Sequence, residues 1–259
     1  MSANIKLVTF NIRCCYDTFD GINGFVHRAG LVFDTVDEKK PDVICFQEVI
    51  PPQVSLLRRS LRDYTFIYNG RLEGFDGEGL CIAVHRDTEI LSHDFFWLSP
   101  TPKVPASRFE ADQSPCPRIA TASMLRKDGS AFLVYNAHLD HIGEAARVKG
   151  ASVLLDRISS DVTAYPLPVF VMGDFNATPD SRCIEAFRSF KNPSLTDLTS
   201  GIPTTFHDFG NRNDNFKIDY IFASSSVASD CTEGIIWDKT VNGMYLSDHY
   251  PVEISAKLG

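Results

Sequence analysis

The sequence predicts an α/β or α+β fold made of two β-sheets with helices outside them. A strand, a helix and a second strand, with a polar side chain at each strand end, occur twice. Asn11 and Glu48 mark the first repeat, 37 residues apart, and His138 and Asp174 mark the second, 36 residues apart. Crossovers of this kind have a fixed hand, so both polar ends of a repeat are expected at the same sheet edge. Two repeats packed face to face favour stacked sheets over an all-β barrel.

The first half of the chain alternates short apolar strands with amphipathic helices. Residues 25–39 place apolar side chains on one helical face, and Pro41 ends that helix. A second helix over 51–61 begins with two prolines, which the first helical turn tolerates. The glycine-rich stretch 69–79 is predicted to be a loop without a basic cluster. Strands are predicted over 5–11, 42–46, 64–68 and 80–84.

The second half repeats this alternation with longer loops. The stretch 99–117 has five prolines and no periodicity, and 198–217 is also rich in turn residues. A hairpin is predicted at residues 127–129. Helices are predicted over 143–159 and 181–187, and strands over 90–98, 119–125, 131–136, 169–172, 218–223, 232–237 and 252–256.

Composition is typical of a cytoplasmic protein in which residues 1–259 form a single domain. Hydrophobic residues make up 44% of the chain, enough for a large core. No apolar run reaches the ~18 residues of a membrane span, and the first residues lack a signal-peptide pattern. The seven scattered cysteines include no C-x-x-C motif, which argues against a zinc site or disulfide framework. A net charge of −8 makes long duplex DNA an unlikely partner.

The stretch 168–179 changes from apolar to polar in its middle. Its first half suits a buried strand, and the residues Gly-Asp-Phe-Asn follow. Asp174 and Asn176 lie two residues apart, so on extended backbone they point the same way and could together bind a water, a metal or a phosphate oxygen. On this motif alone, a strand-ending Asx turn is an equal alternative.

Polar residues recur within or after apolar strands along the whole chain. They are Asn11 in TFNIR, Glu48 in CFQEV, His138 in NAHLD, Asp174 and Asn176 in GDFN, Asp219 in KIDYIF, and Asp248 and His249 in LSDHYPV. Their order resembles the endonuclease/exonuclease/phosphatase superfamily, metal-dependent phosphoesterases related to pancreatic-type deoxyribonucleases, sphingomyelinases and deadenylases. The resemblance covers residues 5–256. It implies an α/β (α+β) fold of two packed mixed β-sheets flanked by helices, a four-layer sandwich.

Hydrolysis of a phosphate ester needs a hard cation, a base for the attacking water, and donors for the charge that develops. Oxygen ligands favour Mg²⁺, with Mn²⁺ as a substitute. Glu48 is the first candidate ligand, although a solvated Glu beginning a helix is the alternative. The resemblance implies a metal site of Glu48, Asn11 and Asp248, and catalytic roles for Asp174 (water activation), Asn176 and His138 (phosphate contact), and His249 paired with Asp219.

Three loop residues are weaker candidates for substrate binding. Arg13, two residues after Asn11, points to the same side and could meet a phosphate, but a surface arginine is an equal interpretation. Arg118, just before a strand, is a possible second phosphate clamp. Glu78 resembles an acidic position of some phosphatase-like members, with an ordinary loop charge as the alternative.

The predicted function is a divalent-metal-dependent phosphoesterase that uses in-line attack of an activated water. The expected partner is a small phosphorylated molecule or a short oligonucleotide, and the oligomeric state is open. One alternative is a 3′-exonuclease or deadenylase-like nuclease. Phe206 and His207 could then form a stacking wall for a base or sugar, although a packed loop is the simpler interpretation. The other alternative is a binding module that holds a phosphorylated ligand without turnover.

Overall fold

The computed structural model describes residues 2–14, 18–110 and 112–259. Cys15, the start of the predicted loop at Asp17, and Ala111 of the proline-rich loop lie outside these ranges.

The order of elements follows the predicted alternation closely. The first half contains β1 (Ala3–Asn11), α1 (Phe25–Lys39), β2 (Val43–Val49), α2 (Pro51–Ser60), β3 (Tyr64–Gly70), β4 (Gly79–His85), β5 (Glu89–Trp97) and β6 (Ile119–Lys127). The second half contains β7 (Ser130–His138), α3 (Glu144–Ala164), β8 (Val169–Asp174), α4 (Arg182–Ser189), β9 (Leu195–Asp197), β10 (Asp219–Ser224), β11 (Ile235–Ile236), β12 (Thr240–Val241), β13 (Met244–Tyr245) and β14 (Val252–Leu258).

Two mixed six-stranded sheets form the centre of the molecule. Their strand orders are β11-β14-β1-β2-β4-β3 and β5-β6-β7-β8-β10-β9. Each predicted crossover supplies one parallel pair, β1 with β2 and β7 with β8, at the middle of its sheet. The flanking strands are antiparallel. The prediction of two packed mixed sheets flanked by helices is therefore confirmed.

Three apolar layers hold the sheets and helices together. Leu7 of β1, Cys45 of β2 and Met172 of β8 belong to the core between the two sheets. Val32 of α1 packs on the outer face of the first sheet, and Leu154 of α3 packs on that of the second. Each fully buried side chain of this size contributes about 1.5–3 kcal/mol. No helix in the part of the chain that the structure describes is long and apolar enough to cross a membrane.

Several boundaries differ from the sequence prediction. The strand predicted over 232–237 is reduced to β11, because the amide of Gly234 donates to the carbonyl of Leu198 instead of to a strand neighbour. The loop predicted over 69–79 is shorter, since its ends pair with each other in the β3–β4 hairpin. Helix α3 continues five residues beyond its predicted end, to Ala164. The short strands β9, β12 and β13 were not predicted, because segments of two or three residues carry no detectable periodicity.

Candidate active site

Side-chain alternation along three strands directs their last polar residues into the space between the sheets. Successive side chains of a strand face opposite sides, so residues two apart share a face. In β8, Met172 belongs to the core between the sheets, and Asp174 lies two residues further on the same face. In β7, Val134 and His138 share that face, four residues apart. Asn11 of β1 follows the same rule.

Glu48 breaks this alternation and reaches the same place through a β-bulge. Gln47, one residue earlier, faces inward, where its Nε2 donates to Asn136 Oδ1 of the second sheet at 2.8 Å. A regular strand would therefore turn Glu48 outward, toward the helices. The pairing of β2 with β4 instead shifts register between Phe46 and Val49, and Glu48 has φ 60°. The bulge brings the Glu48 carboxylate into the cleft.

Asn11 links the carboxylates of the two halves. Its Nδ2 donates to Glu48 Oε1 at 3.1 Å and to Asp174 Oδ2 at 3.0 Å. Asp174 Oδ1 accepts from the backbone amide of Asn176 at 2.8 Å, so this part of the Asx-turn alternative is present together with the shared site. The second amide proton of Asn176 remains for another acceptor, because its Nδ2 uses one to donate to the carbonyl of Leu139.

Two histidines approach Asp174 from different strands. His138 Nε2 lies 3.5 Å from Asp174 Oδ2, and His249 Nε2 lies 3.9 Å from the same oxygen. His249 Nδ1 contacts Asp219 Oδ2 at 2.8 Å. Asp219 in turn begins β10, directly opposite Asp174 of β8. The structure thus brings together residues from five strands and from the segment before β14.

The pKa values of His249 and Asp174 move in the same direction for different reasons. Burial of His249 lowers its pKa, but the charges of Asp219, Asp174 and Asp248 outweigh burial and raise the pKa to about 10. His249 is therefore protonated near neutral pH, and both of its ring nitrogens donate. Burial and the charge of Asp219 raise the pKa of Asp174 to about 7. The pKa of His138 is lowered well below its usual value by burial and by the charges of Arg118 and Arg71, which keeps it neutral.

The crowded carboxylates have the chemistry of a divalent-cation site. One group of ligand atoms within 4.8 Å of each other comes from Glu48, His138 and Asp174, and a second comes from Asp174, Asp219 and His249. Burial and the charge of Glu48 raise the pKa of Asp248, a mark of carboxylates that face one another without enough positive charge. The oxygen-rich donor set fits a hard cation.

Asp248 lines the same cleft as Glu48 and Asp174. It is not a member of either group among the described residues, and it forms an ion pair with Arg13, whose Nη1 lies 3.5 Å from its Oδ2. Ser247 Oγ donates to its Oδ1 at 3.0 Å. Asp248 therefore borders the carboxylate cluster through Glu48 and Arg13.

Comparison with known proteins identifies the family. The model of the endonuclease/exonuclease/phosphatase family matches residues 8–249. The chain belongs to this family. Its members are divalent-metal-dependent hydrolases that act on phosphoester bonds.

Solved structures of family members superpose over almost the whole chain. A Bacteroides vulgatus endonuclease/exonuclease/phosphatase is 29% identical, covers 99% of this chain and 100% of its own, and has a TM-score of 0.90. A mannosyl-6-phosphatase from Bacteroides thetaiotaomicron is 26% identical, with 96% and 98% coverage and a TM-score of 0.84. The human Nocturnin catalytic domain, solved with a sulfate anion, shares the fold at 19% identity, with 99% and 94% coverage and a TM-score of 0.74.

Arg13 of this family member lies in the cleft but is bound to carboxylates. Its Nε and Nη2 donate to the two oxygens of Asp20, both at 3.1 Å. The hydrogen bonding of Arg13 to Asp20 raises the pKa of Arg13 further above its usual value. Only 38% of its side chain is exposed. The prediction that Arg13 faces the same side as Asn11 agrees with this position, but phosphate would compete with two acidic partners for it.

The loop over 69–79 carries no basic cluster of its own, but it contributes one basic residue to the cleft. Arg71, which the sequence interpretation missed, lines the cleft beside Arg118. The two residues are separated by 47 positions, so no local pattern connects them. The one available signal was the opposite charges of Arg71 and Glu78 at the two ends of a glycine-rich hairpin loop.

The same cleft has a volume of about 410 Å³ and an apolar part. Phe206, Phe216 and Ile218 form that part, and the Phe206 ring centroid lies 4.9 Å from that of His249. His207 does not contribute, since it is 3% exposed and stacks on Tyr250 at 3.9 Å. The packed-loop interpretation therefore holds for His207, and Phe206 alone of that pair lines the cleft.

Proposed function

We propose that this protein is a Mg²⁺-dependent hydrolase that cleaves a phosphate ester of a small molecule by in-line attack of an activated water, with Mn²⁺ as a substitute. One observation carries the proposal: the Asn11 amide joins Glu48 and Asp174 directly beside His249, whose Nδ1 lies 2.8 Å from Asp219 Oδ2. The family match to residues 8–249 supports a single catalytic domain over residues 1–259.

The metal site in this proposal is built around Glu48. Glu48 would hold the cation, with Asn11 and Asp248 as further metal contacts. When bound, the cation neutralises non-bridging phosphate oxygens as a Lewis acid. Glu48 accepts hydrogen bonds from Asn11 Nδ2 and the amide of Cys14, at 3.1 and 3.2 Å.

The remaining residues move protons and hold the phosphate. Asp174 takes a proton from the attacking water, a role that suits a carboxylate with a pKa near the working pH. His249 donates its Nε2 proton to the leaving oxygen, and Asp219 fixes the ring orientation through Nδ1. His138 contacts the phosphate as a neutral imidazole, and Asn176 does so through its free amide proton.

The size of the cleft and the net charge of the protein favour a small substrate over a nucleic acid. A cleft of about 410 Å³ is within the range of small-ligand sites. The net charge of −8 opposes binding of long polyanions. The mannosyl-6-phosphatase at 26% identity makes sugar phosphates the first class to screen. Phe206 and Phe216 favour the alternative of a 3′-exonuclease or deadenylase-like nuclease, because aromatic rings can stack on a base.

The experiment is hydrolysis of aryl phosphate esters by the purified protein with Mg²⁺, with Mn²⁺ and with chelator, followed by a panel of sugar phosphates and short oligonucleotides. We expect metal-dependent turnover that is lost in Glu48→Gln while the circular dichroism spectrum is unchanged. Turnover that survives chelation would contradict the proposal. No turnover of any ester would leave the binding module as the better description.

A further inference from the structure

Two loops close one side of the cleft through a network centred on Arg71. Its Nη1 and Nη2 donate to the two carboxylate oxygens of Glu78 at 2.5 and 3.0 Å, across the base of the β3–β4 hairpin. Nη2 also contacts Cys116 Sγ at 3.4 Å, and Trp97 Nε1 donates to the Arg71 carbonyl at 2.9 Å. The side chains of Arg71 and Glu78 are only 13% and 12% exposed. The hairpin is therefore fastened to the loop before β6.

Arg118 lines the same cleft, and its neighbours compensate its positive charge only in part. Its side chain is 5% exposed, and its Nη2 contacts His141 Nδ1 at 2.6 Å. Its Nε has no hydrogen-bond partner among the residues that the structure describes, and Asp140 Oδ2 is 3.6 Å away.

Asp140 is already engaged by other donors. Its carboxylate accepts from the backbone amides of Ser114, Ile142 and Gly143 and from the Ser114 hydroxyl. It therefore offers Arg118 a long contact instead of a direct one. We name Arg71, Glu78, Cys116 and Arg118 the arginine wall.

We propose that the arginine wall makes this site specific for phosphate monoesters, an inference that rests on the proposed phosphoesterase function. A phosphate diester needs space for two ester arms, whereas a monoester needs space for one and presents oxygens on its other sides. Arg71 and Arg118 border the same cleft as Glu48 and Asp174, so a phosphate held at those carboxylates would share the cleft with both guanidinium groups. A guanidinium matches the extra charge and oxygen pair of a terminal phosphate. Glu78 holds the Arg71 fork, so a phosphate would exchange with that carboxylate, whereas Arg118 Nε has an unused N–H among the described residues.

Hydrolysis of a phosphate monoester at this site consumes only water. The water oxygen bonds to phosphorus as the ester P–O bond breaks. The water proton passes to Asp174, and the leaving alkoxide takes the Nε2 proton of His249. The products are inorganic phosphate and an alcohol, whose carbon skeleton lies along Phe206, Phe216 and Ile218, the apolar part of the lining.

The test compares 4-nitrophenyl phosphate with methyl 4-nitrophenyl phosphate, two probes with one leaving group that differ by a methyl on the second arm. Values of kcat/KM are measured with Mg²⁺ for the wild type, Arg71→Ala, Arg71→Lys and the control Arg126→Ala. Arg126 pairs with Glu89 on an exposed edge, so its loss matches the change in charge. We expect wild type and Arg126→Ala to prefer the monoester, and Arg71→Ala to lose roughly tenfold to a hundredfold of that preference. Arg71→Lys, which keeps the charge without the fork, should fall between them.

Preference of the wild type for the diester, or an unchanged preference in Arg71→Ala, overturns the inference and leaves the phosphoesterase function standing. If neither probe is turned over, calorimetric binding of phenyl phosphate and methyl phenyl phosphate decides the inference, and the panel of sugar phosphates and oligonucleotides decides the proposed function separately. Tighter monoester binding that Arg71→Ala abolishes supports the inference, whereas equal binding of the two esters overturns it.

Discussion

The two crossovers have one topology but deliver their polar residues differently. In β7-α3-β8 the two terminal side chains are direct partners, His138 opposite Asp174, and both follow the regular alternation. In β1-α1-β2, Asn11 stands opposite Gln47, and the carboxylate comes one residue later. Glu48 reaches the cleft only because the strand bulges there. One half of the site therefore follows from strand periodicity, and the other half depends on a local break in it.

Because of the bulge, the amide side chain of Gln47 occupies the inward-facing position before Glu48. Gln47 Nε2 donates to Thr9 Oγ1 at 3.1 Å as well as to Asn136 Oδ1, and Asn136 Nδ2 donates to the carbonyl of Phe46 at 2.9 Å. All of these groups are buried. The bulge thus frees an inward side chain to tie the two sheets together directly beneath the site.

The largest expected effects are losses of activity, and their causes differ between Asp174 and Glu48. Asp174→Asn removes the proposed base, so kcat should fall by about 10³-fold, with metal affinity changed little. Glu48→Gln should weaken Mg²⁺ binding by about 10–100-fold and reduce activity through metal loss. Kinetics over a metal titration, with calorimetry of Mn²⁺ binding, measures both. Most activity retained in Asp174→Asn would remove it from the role of water activation.

A substitution at Gly173 tests the β7-α3-β8 crossover, whose strands keep the regular alternation. It has φ +150°, and a Cβ there would lie 1.9 Å from the Ala137 carbonyl oxygen of the paired strand. Gly173→Ala should therefore lower the free energy of unfolding by about 3 kcal/mol. The control Gly129→Ala has φ +87° but open space within 4 Å, so about 1 kcal/mol is expected. Urea denaturation provides the comparison, and equal losses would show that contact with β7 does not constrain this position.

Gln47 tests the bulged half. Gln47→Leu leaves the buried Asn136 Oδ1 without its donor, which should cost about 1–3 kcal/mol. If the pair positions Glu48, activity at subsaturating metal should fall more than stability alone explains. A double-mutant cycle with Asn136→Leu checks the link, because independent residues would give additive losses in the free energy of unfolding.

The smallest expected effect concerns the proton on His249. The pKa of His249, about 10, lies above the unfolded value near 6.5, so its charge stabilises the fold below that value, and this contribution is lost as pH rises through 10. Asp219→Asn removes the largest of the negative charges that raise the pKa of His249 against the effect of burial. The pKa of His249 should then fall in the metal-free protein, and NMR titration of its ring protons measures the shift. Asp94→Asn, on the exposed side of β5, should leave it unchanged.

Much of the fold was predictable because its determinants are local. The stripes on α1 and α3 and the apolar runs of β2 and β8 repeat at spacings that a helix or strand requires. Both crossovers follow from such runs together with chain direction. Short strands such as β9 escaped prediction because three residues carry no period and their pairing is decided by a distant partner, β10.

The candidate active site also has a part that was predictable from the sequence and a part that was not. The sequence by itself determined which polar residues stand at strand ends, because each follows its own apolar run, and the family's motif order includes them. Only the tertiary structure decided that Glu48 turns inward through a bulge, that Asn11 bridges it to Asp174, and that Arg71 joins Arg118. These arrangements depend on contacts between residues 37 to 163 positions apart or on a local break in periodicity, and neither is encoded in the spacing of neighbouring residues.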